Sequence, residues 1–344
     1  MEGRVALVPE ACRQLLNAGH TILMEQGAGL LSGYSDESYA ALGVRLVGAA
    51  AEVYAGAQLI LKVKEPQVGE VALLNKEHLL FSFLHLAAEP ELGRRLQAIG
   101  LTAVAFETVE DDTGRLPLLA PMSDIAGRIA TQVGTCLLHR PHGGKGLLLG
   151  GLPAAERGRV IIIGAGTAGG NAALLAAALG AQVVVFDVDR DRLTAMCALG
   201  NNVTGLYPYE HALANEVSRG DLVIGAVLRT GARAPHVVTR QMVSQMQAGS
   251  VVIDISVDQG GCMETTRPTT YENPTYVEEG IIHFAVTNMP AAVPRTASQA
   301  LSAVLLPYVL ALTRPDWKSC KPLTRGINIE AGRIVHPALK ETFA

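Results

Sequence analysis

The sequence predicts an α/β protein of two domains with mostly parallel sheets. Its 344 residues exceed the roughly 100–200 residues of one ordinary domain. Short apolar runs alternate with helical patterns along the first third of the chain and again over residues 159–255, which is typical of β-α units. The 36 glycines and the aromatic content of only 4% favour tight strand-to-helix turns over an all-β sandwich.

The first third of the chain predicts short strands separated by helices. A helix is expected over Pro9–Gly19, because this segment begins with proline and ends with glycine. Strands are predicted at His20–Glu25, Leu59–Val63, Leu79–Phe83 and Thr102–Phe106, and further helices at Asp36–Leu42 and Glu89–Ile99. Strand and helix alternating at this spacing indicate a mostly parallel sheet.

A proline-bounded segment, Pro117–Pro121, interrupts this pattern. A long amphipathic helix is predicted from Ser123, as its N-cap, to about His139. The glycine-rich Gly143–Gly151 is interpreted as a linker or a hairpin. A second series of β-α units follows, with strands predicted at Val160–Ile163, Gln182–Asp187, Asp221–Gly225 and Ser250–Ile255.

The end of the chain leads away from this second series. A last helical pattern runs from about Arg295 to Leu312, and no internal repeat is found. The sequence therefore predicts one domain, residues 1–118 and 293–344, interrupted by a second domain, residues 119–292.

Composition and charge exclude several classes of protein. The net charge is −4, from 28 basic and 32 acidic residues without a block of one sign, whereas a nucleic-acid binder needs a basic stripe. The most apolar late stretch, Leu301–Leu312, is shorter than the roughly 18 residues that span a bilayer. Five separated cysteines indicate free thiols, and His139 and His142 lack further metal ligands nearby. We expect a soluble, cytoplasmic protein with no metal and no nucleic-acid or membrane partner.

A glycine-rich turn follows the predicted strand Val160–Ile163. Gly164, Gly166 and Gly169 form a G-x-G-x-x-G pattern that opens an alanine-rich helix. In such a turn the first glycine makes the tight bend, the second lets a pyrophosphate approach the backbone, and the third lets the helix pack on the strand. The helix N-terminus then offers N–H groups to the phosphates. The pattern predicts dinucleotide binding.

The choice between NAD and NADP depends on the end of the next strand. Asp187 lies 18 residues after Gly169, where a carboxylate accepts hydrogen bonds from the ribose hydroxyls and repels a 2′-phosphate. Arg190 and Arg192 follow closely and could attract such a phosphate. Because Asp187 stands at the strand end itself, the prediction is NAD.

Ionisable residues also follow the predicted strands of the first domain. Lys62 and Lys64, His85 and Glu107 each come directly after an apolar run, and ligands bind beyond the carboxyl ends of parallel strands. Lysine suits a carboxylate or carbonyl oxygen, and histidine can move a proton near neutral pH. The alternatives are a solvated lysine pair, a core histidine and a structural carboxylate.

Two further candidates lie in the second domain. Asp258 follows the fourth strand of this domain, and Asn288 precedes a proline at its exit. Asp258 either acts on a substrate or caps a turn before two glycines, and Asn288 either binds the nicotinamide carboxamide or makes a turn. The placement of all these residues at strand ends favours the functional interpretation.

The sequence as a whole resembles the NAD-dependent L-alanine dehydrogenases, in order from Arg4 to the C-terminus. The resemblance lies in six motifs: Lys62–Pro66, Phe83–Ala88, Leu119–Ser123, Gly164–Gly169, Val257–Cys262 and Asn288–Pro290. The NAD-binding subunit of proton-translocating transhydrogenase is similar in fold, but it lacks the Phe-Leu-His-Leu-Ala element that is present here. The resemblance implies a Rossmann-type NAD-binding domain inserted into a discontinuous flavodoxin-like substrate domain, and a homohexamer.

The resemblance also implies a reaction and its residues. The reaction would be reversible oxidative deamination of L-alanine to pyruvate and ammonia, with hydride transfer to NAD. His85 would be the general acid/base and Asp258 would activate water or ammonia. Arg4 and Lys64 would bind the substrate carboxylate, with Lys64 also near the carbonyl oxygen, and Glu107 would support these substrate-site cations. The cofactor would be bound by Ser123, Gly164, Gly166, Thr167, Ala168, Gly169, Asp187, Val227, Leu228, Asn288 and Met289.

One departure from the family concerns the N-terminus. Family members have an additional strand before the segment that matches Arg4, so we expect an exposed sheet edge and an Arg4 segment that frays. Either the start codon lies too late, or the chain is a shortened variant that binds NAD with reduced or no alanine activity. A further alternative is a dehydrogenase for another small 2-oxo acid.

Overall fold

The computed structural model describes residues 2–227, 234–340 and 342–343. The chain divides into two compact units. The first unit comprises Met1–Met122 and Pro290–Ala344, and the inserted unit comprises Ser123–Met289. The divisions fall within four residues of the domain boundaries expected from the sequence.

Strands and helices alternate along most of the chain. The strands are β1 Leu23–Glu25, β2 Arg45–Val47, β3 Leu59–Leu61, β4 Leu79–Ser82, β5 Thr102–Ala105, β6 Arg159–Ile163, β7 Gln182–Phe186, β8 Val203–Leu206, β9 Leu222–Gly225, β10 Val251–Asp254, β11 Thr275–Glu278, β12 Ile281–Phe284, β13 Ile327–Glu330 and β14 Arg333–Ile334. The helices are α1 Pro9–Asn17, α2 Asp36–Ala40, α3 Ala50–Gly56, α4 Val68–Val71, α5 Pro90–Ile99, α6 Ala120–Leu137, α7 Thr167–Ala178, α8 Arg190–Cys197, α9 Glu210–Ser218, α10 Arg240–Ser244, α11 Pro294–Leu312 and α12 Lys321–Arg325.

The first unit is built on a five-stranded sheet of order β14-β13-β5-β4-β3. Strands β3, β4 and β5 are parallel, whereas β13 runs antiparallel to β5 and β14. Strands β1 and β2 pair with each other in a separate parallel sheet. Leucine and alanine side chains from the strands and from α5 form the core, with Leu80, Leu96 and Leu101 fully buried.

The segment that carries Arg4 is buried and held in place. The backbone N–H groups of Val5 and Val8 donate to the hydroxyls of Ser298 and Ser302 on α11, at 2.9 and 3.0 Å. Arg4 itself is 7% exposed. The expectation that this segment frays is therefore wrong, because two serines of a helix distant in sequence satisfy its backbone donors.

The inserted unit is built on a seven-stranded sheet of order β11-β12-β10-β9-β6-β7-β8. All its strands are parallel except β11, which pairs antiparallel with β12. Parallel strands covered on both faces read as continuous apolar runs, and the β6 residues Val160 to Ile163 are buried accordingly. This is the Rossmann-type arrangement, and the predicted two-domain α/β fold class is confirmed.

Helix α6 begins earlier than the sequence predicts. Helix α6 begins at Ala120, so Ser123 lies within its first turn instead of capping it. Pro121 is tolerated there because the N–H that proline lacks has no partner in a first turn. Helix α7 begins at Thr167, directly after the second glycine of the turn. In the ranges that the structure describes, no helix has the length and apolar character needed to cross a membrane.

Candidate functional site

Three candidate residues of the first unit follow neighbouring parallel strands. Lys64, His85 and Glu107 come after β3, β4 and β5, and the carboxyl ends of these strands lie at one edge of the sheet. The N–H of Phe83 donates to the carbonyl of Val63 at 3.1 Å, which sets the segment of Lys64 beside that of His85. The structure therefore brings these three predicted residues to one sheet edge.

His85 is held in an unusual backbone conformation. Its φ is +47°, a left-handed value that costs a non-glycine residue about 1–3 kcal/mol and recurs at functional sites. The N–H groups of Leu84 and His85 donate to the Glu107 carboxylate, at 3.2 and 2.6 Å. The imidazole is half-buried and stacks parallel to the Phe83 ring, with centroids 5.8 Å apart.

Glu107 makes different contacts from those that the resemblance implies. The resemblance implied support of substrate-site cations, but no Lys or Arg among the described residues lies within ion-pair distance of this carboxylate. Both its oxygens instead accept backbone N–H groups of the His85 turn. Because carboxylate-to-N–H bonds are charge-assisted, Glu107 fixes the turn on which the imidazole stands.

His336 is a residue near this edge that the sequence did not reveal. Strand β14 runs antiparallel to β13, and the N–H of Val335 donates to the carbonyl of Asn328 at 3.0 Å, so the chain returns toward the end of β5. The Nδ1 atom of His336 is buried without a hydrogen-bond partner in the part of the chain that the structure describes. Burial lowers its pKa, and the nearby charges of Glu107 and Glu110 oppose this shift. A lone histidine after a two-residue strand carries no sequence signal.

Arg4 forms a two-bond ion pair with Glu2. Its Nε and Nη2 atoms donate to the two carboxylate oxygens at 2.8 and 2.7 Å, while Nη1 lies 3.3 Å from the sulfur of Met122. A guanidinium has a second bidentate edge, formed by Nη1 and Nη2. Within the described part of the chain, no hydrogen bond or ion pair joins Arg4 to His85 or Lys64. The Nζ atom of Lys64 lies 3.4 Å from Oε2 of Glu65.

The glycine turn of the inserted unit has the geometry that a dinucleotide requires. Gly164 has φ +99°, and a Cβ placed there would lie 2.5 Å from the carbonyl oxygen of Ala226. A Cβ on Gly169 would lie 1.7 Å from the carbonyl oxygen of Gly164, whereas a Cβ on Gly166 would meet no atom within 4 Å. The open space therefore lies at Gly166, before Thr167 and Ala168 start α7, which is where a pyrophosphate would approach the backbone.

The carboxylate of Asp187 closes the same turn. Its oxygens accept the N–H of Ala165 at 2.6 Å and the N–H of Asp189 at 2.8 Å. Arg192 lies 3.9 Å from it and is largely exposed, whereas Asp187 is 8% exposed. Asp187 is thus fixed at the end of β7 beside the phosphate turn, as a ribose-binding carboxylate should be.

The remaining candidates of the inserted unit follow the neighbouring strands β9, β10 and β12. Asp258 lies in a short 3₁₀ helix, and its Oδ2 accepts the N–H of Asn288 at 3.2 Å. Asn288 has φ +60°, which is also a left-handed value for a non-glycine residue. Met289 is buried, and its carbonyl accepts the hydroxyl of Tyr271 at 2.7 Å. The carbonyl of Val227 accepts a hydrogen bond from the hydroxyl of Ser256 at 2.8 Å. Leu228 lies outside the described residues.

Glycine substitutions separate folding from cofactor binding in this turn. We expect Gly169→Ala to lower the free energy of unfolding by about 1–3 kcal/mol, the usual cost of overpacking, because its Cβ overlaps the Gly164 carbonyl. Gly166→Ala should cost less stability, because its methyl group meets no atom and only the N-cap of α7 is weakened. It should weaken NADH binding, because the methyl group enters the open space. Urea unfolding and NADH fluorescence titration measure the two effects. Equal losses of stability in both variants would contradict this account.

The fold and the glycine turn together define a class: two-domain α/β proteins with a Rossmann-type dinucleotide-binding unit inserted in the chain. Residues 1–126 match the family model "Alanine dehydrogenase/PNT, N-terminal domain", and residues 130–337 match "Alanine dehydrogenase/PNT, C-terminal domain". The chain belongs to the alanine dehydrogenase/PNT family, which confirms the family resemblance seen in the sequence.

Individual relatives match over nearly the full length. Alanine dehydrogenase of Halomonas elongata is 44% identical over 347 residues, covering 99% of this chain and 94% of that protein. Alanine dehydrogenase of Bacillus subtilis is also 44% identical, covering 98% and 90%. A solved L-alanine dehydrogenase superposes with a TM-score of 0.94 at 45% identity, covering 99% and 96%. The crystal structure of a transhydrogenase from Sinorhizobium meliloti superposes with a TM-score of 0.83 at 26% identity, and the match covers 98% of this chain and 96% of that chain.

Proposed function

We propose that the protein is an NAD-dependent alanine dehydrogenase, which converts L-alanine, NAD⁺ and water reversibly into pyruvate, ammonium, NADH and a proton. The observation that carries this proposal is the full-length similarity to alanine dehydrogenases, at 44% identity over 99% of the chain. The His85 turn in the first unit and the glycine turn in the inserted unit support it. Substrate binding is assigned to the first unit and cofactor binding to the inserted unit.

The first unit supplies the cations and the proton-transfer group. Arg4 is assigned to the substrate carboxylate through its Nη1/Nη2 edge, where the carboxylate would replace the Met122 sulfur that Nη1 contacts at 3.3 Å, while Glu2 holds the Nε/Nη2 edge. Lys64 serves the carboxylate or the carbonyl oxygen. His85 exchanges a proton with the substrate oxygen as pyruvate forms or is consumed. Its turn is fixed by Glu107, and such fixed placement raises the rate of a positioned proton transfer.

The inserted unit supplies the nucleotide site and the second acid/base. The nucleotide site would hold NAD, which would supply the acceptor for the hydride on C2 of L-alanine. Loss of this hydride leaves an imine of pyruvate, and Asp258 takes a proton from the water that attacks it. Release of ammonia then completes the reaction. In the reverse direction the same carboxylate activates ammonia for attack on pyruvate. Asn288 and Met289 are assigned to the nicotinamide, and Ser123 and Val227 to the cofactor path.

The preference for NAD rests on Asp187. Its carboxylate repels a 2′-phosphate, while Arg192 nearby would attract one. We expect Asp187→Asn to shift the ratio of kcat/KM for NADH over NADPH toward NADPH by about tenfold, equivalent to about 1.4 kcal/mol. Initial rates with both cofactors measure the ratio. Asp191→Asn, on the exposed face of α8, is the control, and an unchanged ratio in Asp187→Asn would contradict the assignment.

We further propose that the enzyme works as a homohexamer in the cytoplasm. The low charged content of 17% supports an oligomer, because part of the surface is then covered. All five cysteines are free, which suits a reducing compartment.

The activity is tested by following NADH absorbance with pyruvate and ammonium. The proposal expects NADH consumption only when both substrates are present. Glyoxylate and other small 2-oxo acids, each with ammonium, serve as competing substrates. A higher kcat/KM with one of these acids than with pyruvate would reassign the substrate. Binding of NADH without oxidation by any of them would indicate an NAD-binding protein that is not an enzyme.

A further inference from the structure

The segment that carries Asp258 is folded around one buried carboxylate. Asp254, the last residue of β10, is fully buried. Its Oδ1 accepts the N–H of Ser256 at 2.9 Å, and its Oδ2 accepts the N–H of Cys262 at 2.9 Å. The hydroxyl of Thr266 donates to the same Oδ2 at 2.7 Å. One carboxylate thus joins the beginning and the end of the loop on which Asp258 stands.

Two glycines leave the space that this carboxylate occupies. A Cβ on Gly225 would lie 3.3 Å from Oδ1 of Asp254 and 2.3 Å from the sulfur of Cys262. Gly261 has φ +76°, and a Cβ there would lie 3.0 Å from Oδ2 of Asp254. The packing around Asp254 is therefore tight on both sides, and interiors packed in this way allow little displacement of the group.

The loop connects the residues assigned to the cofactor. The hydroxyl of Ser256 donates to the carbonyl of Val227 at 2.8 Å, and the N–H of Asn288 donates to Asp258 at 3.2 Å. Ser256 and Asp258 are both within the five-residue 3₁₀ helix that begins directly after Asp254. A shift of this helix would move the Asp258 carboxylate away from Asn288.

Asp254 keeps this position although burial disfavours its charge. Burial raises the pKa of the carboxyl group, and the hydrogen bonds from Thr266, Cys262 and Ser256 act in the opposite direction. A buried carboxylate is stable only while its oxygens have such donors. Because the side chain is fully enclosed, it does not contact a substrate and acts on the reaction only through the loop.

We propose that Asp254 is a positioning residue of this enzyme, which holds the Asp258 loop closed so that the Asp258 carboxylate stays at the Asn288 N–H. The inference rests on the proposed function, because the acid/base role of Asp258 belongs to it. Thr266 takes part as the side-chain donor that fixes Oδ2 of Asp254.

Substitutions of Asp254 and Thr266 weaken the hydrogen bonds that hold the Asp258 loop closed, to different degrees. In Asp254→Asn, either orientation of the amide places an NH₂ group against a backbone N–H, because both oxygens accept one. Thr266→Val removes one donor and keeps the shape, and Thr266→Ser keeps the hydroxyl. We expect Thr266→Val to lower kcat about tenfold, less than the roughly 100-fold that a 1 Å misplacement costs, with an unchanged Kd for NADH. Thr266→Ser should retain kcat.

A double-mutant cycle with Asp258→Asn provides the decisive test. If Thr266 and Asp254 act through Asp258, Thr266→Val lowers kcat in the otherwise unchanged enzyme and has little further effect in the Asp258→Asn background. Thr131→Val is the control, because this buried hydroxyl donates to the carbonyl of Ala172 in the same unit and does not contact the loop. An equal loss of kcat in both backgrounds, or full activity in folded Thr266→Val, would overturn the proposal.

The same cycle separates this inference from the proposed function. If Asp258→Asn alone retains full turnover, the assigned role of Asp258 fails, and the inference about Asp254 fails with it. If Asp258→Asn is impaired while Thr266→Val and Asp254→Asn are as active as the unchanged enzyme, the proposed function stands and only the positioning role is lost.

Discussion

Replacing His85 by alanine is expected to lower kcat for pyruvate amination by about 10²–10⁴-fold, the usual contribution of a positioned acid/base group. The imidazole stands on a left-handed turn that Glu107 holds through two backbone N–H groups. The Kd for NADH should stay unchanged, because the cofactor is assigned to the other unit. Stopped-flow and steady-state rates at saturating substrates measure the loss.

Two controls accompany this prediction. His20→Ala, a half-buried histidine of the same unit after α1, should retain full activity. Added imidazole should restore part of the activity of His85→Ala, because a free base can then move the proton. Turnover of folded His85→Ala at the rate of the unchanged enzyme would show that the reaction does not use this imidazole.

Replacing Asp258 by asparagine is expected to lower kcat by a similar factor of about 10²–10⁴. Asparagine keeps the shape of the side chain, and its amide oxygen can still accept the N–H of Asn288, as the carboxylate does at 3.2 Å. The substitution therefore removes the charge and the basicity and leaves the contact. Steady-state kinetics in both directions, with NADH titration as the binding control, measure the effect.

Asp316→Asn is the matched control for this substitution, because Asp316 is exposed in the first unit. It should have the kinetics of the unchanged enzyme. If Asp258→Asn also kept its turnover, the carboxylate would serve only to fix Asn288, and another group would have to activate water and ammonia.

Local patterns predicted the parts of the fold that depend on local chemistry. The three glycines at 164, 166 and 169 each have a steric reason within a few residues, so the turn could be identified from its spacing. Strands β6, β7, β9 and β10 are apolar runs buried in a parallel sheet. Strand β11 was missed because it lies at the sheet edge and is only partly buried.

Contacts between distant residues could not be predicted in this way. The expectation that the Arg4 segment frays failed because its backbone N–H groups donate to the hydroxyls of Ser298 and Ser302, which lie near the other end of the chain. Glu107 reaches the N–H of His85 only because β4 and β5 pair in a particular register. His336 reaches the same sheet edge through the antiparallel return of β14. Ser123 was misplaced because Pro121 starts a helix as readily as it ends one.

The most direct test of the proposed reaction follows the hydrogen on C2 of the substrate. The protein is incubated with L-alanine deuterated at C2, NAD and water, and the NADH formed is analysed by mass spectrometry. The account predicts NADH that carries one deuterium, with pyruvate and ammonium formed in equal amounts, and no deuterium transfer by His85→Ala above about 1% of the unchanged rate. Unlabelled NADH, or no NADH from L-alanine while another 2-amino acid is oxidised, would contradict it.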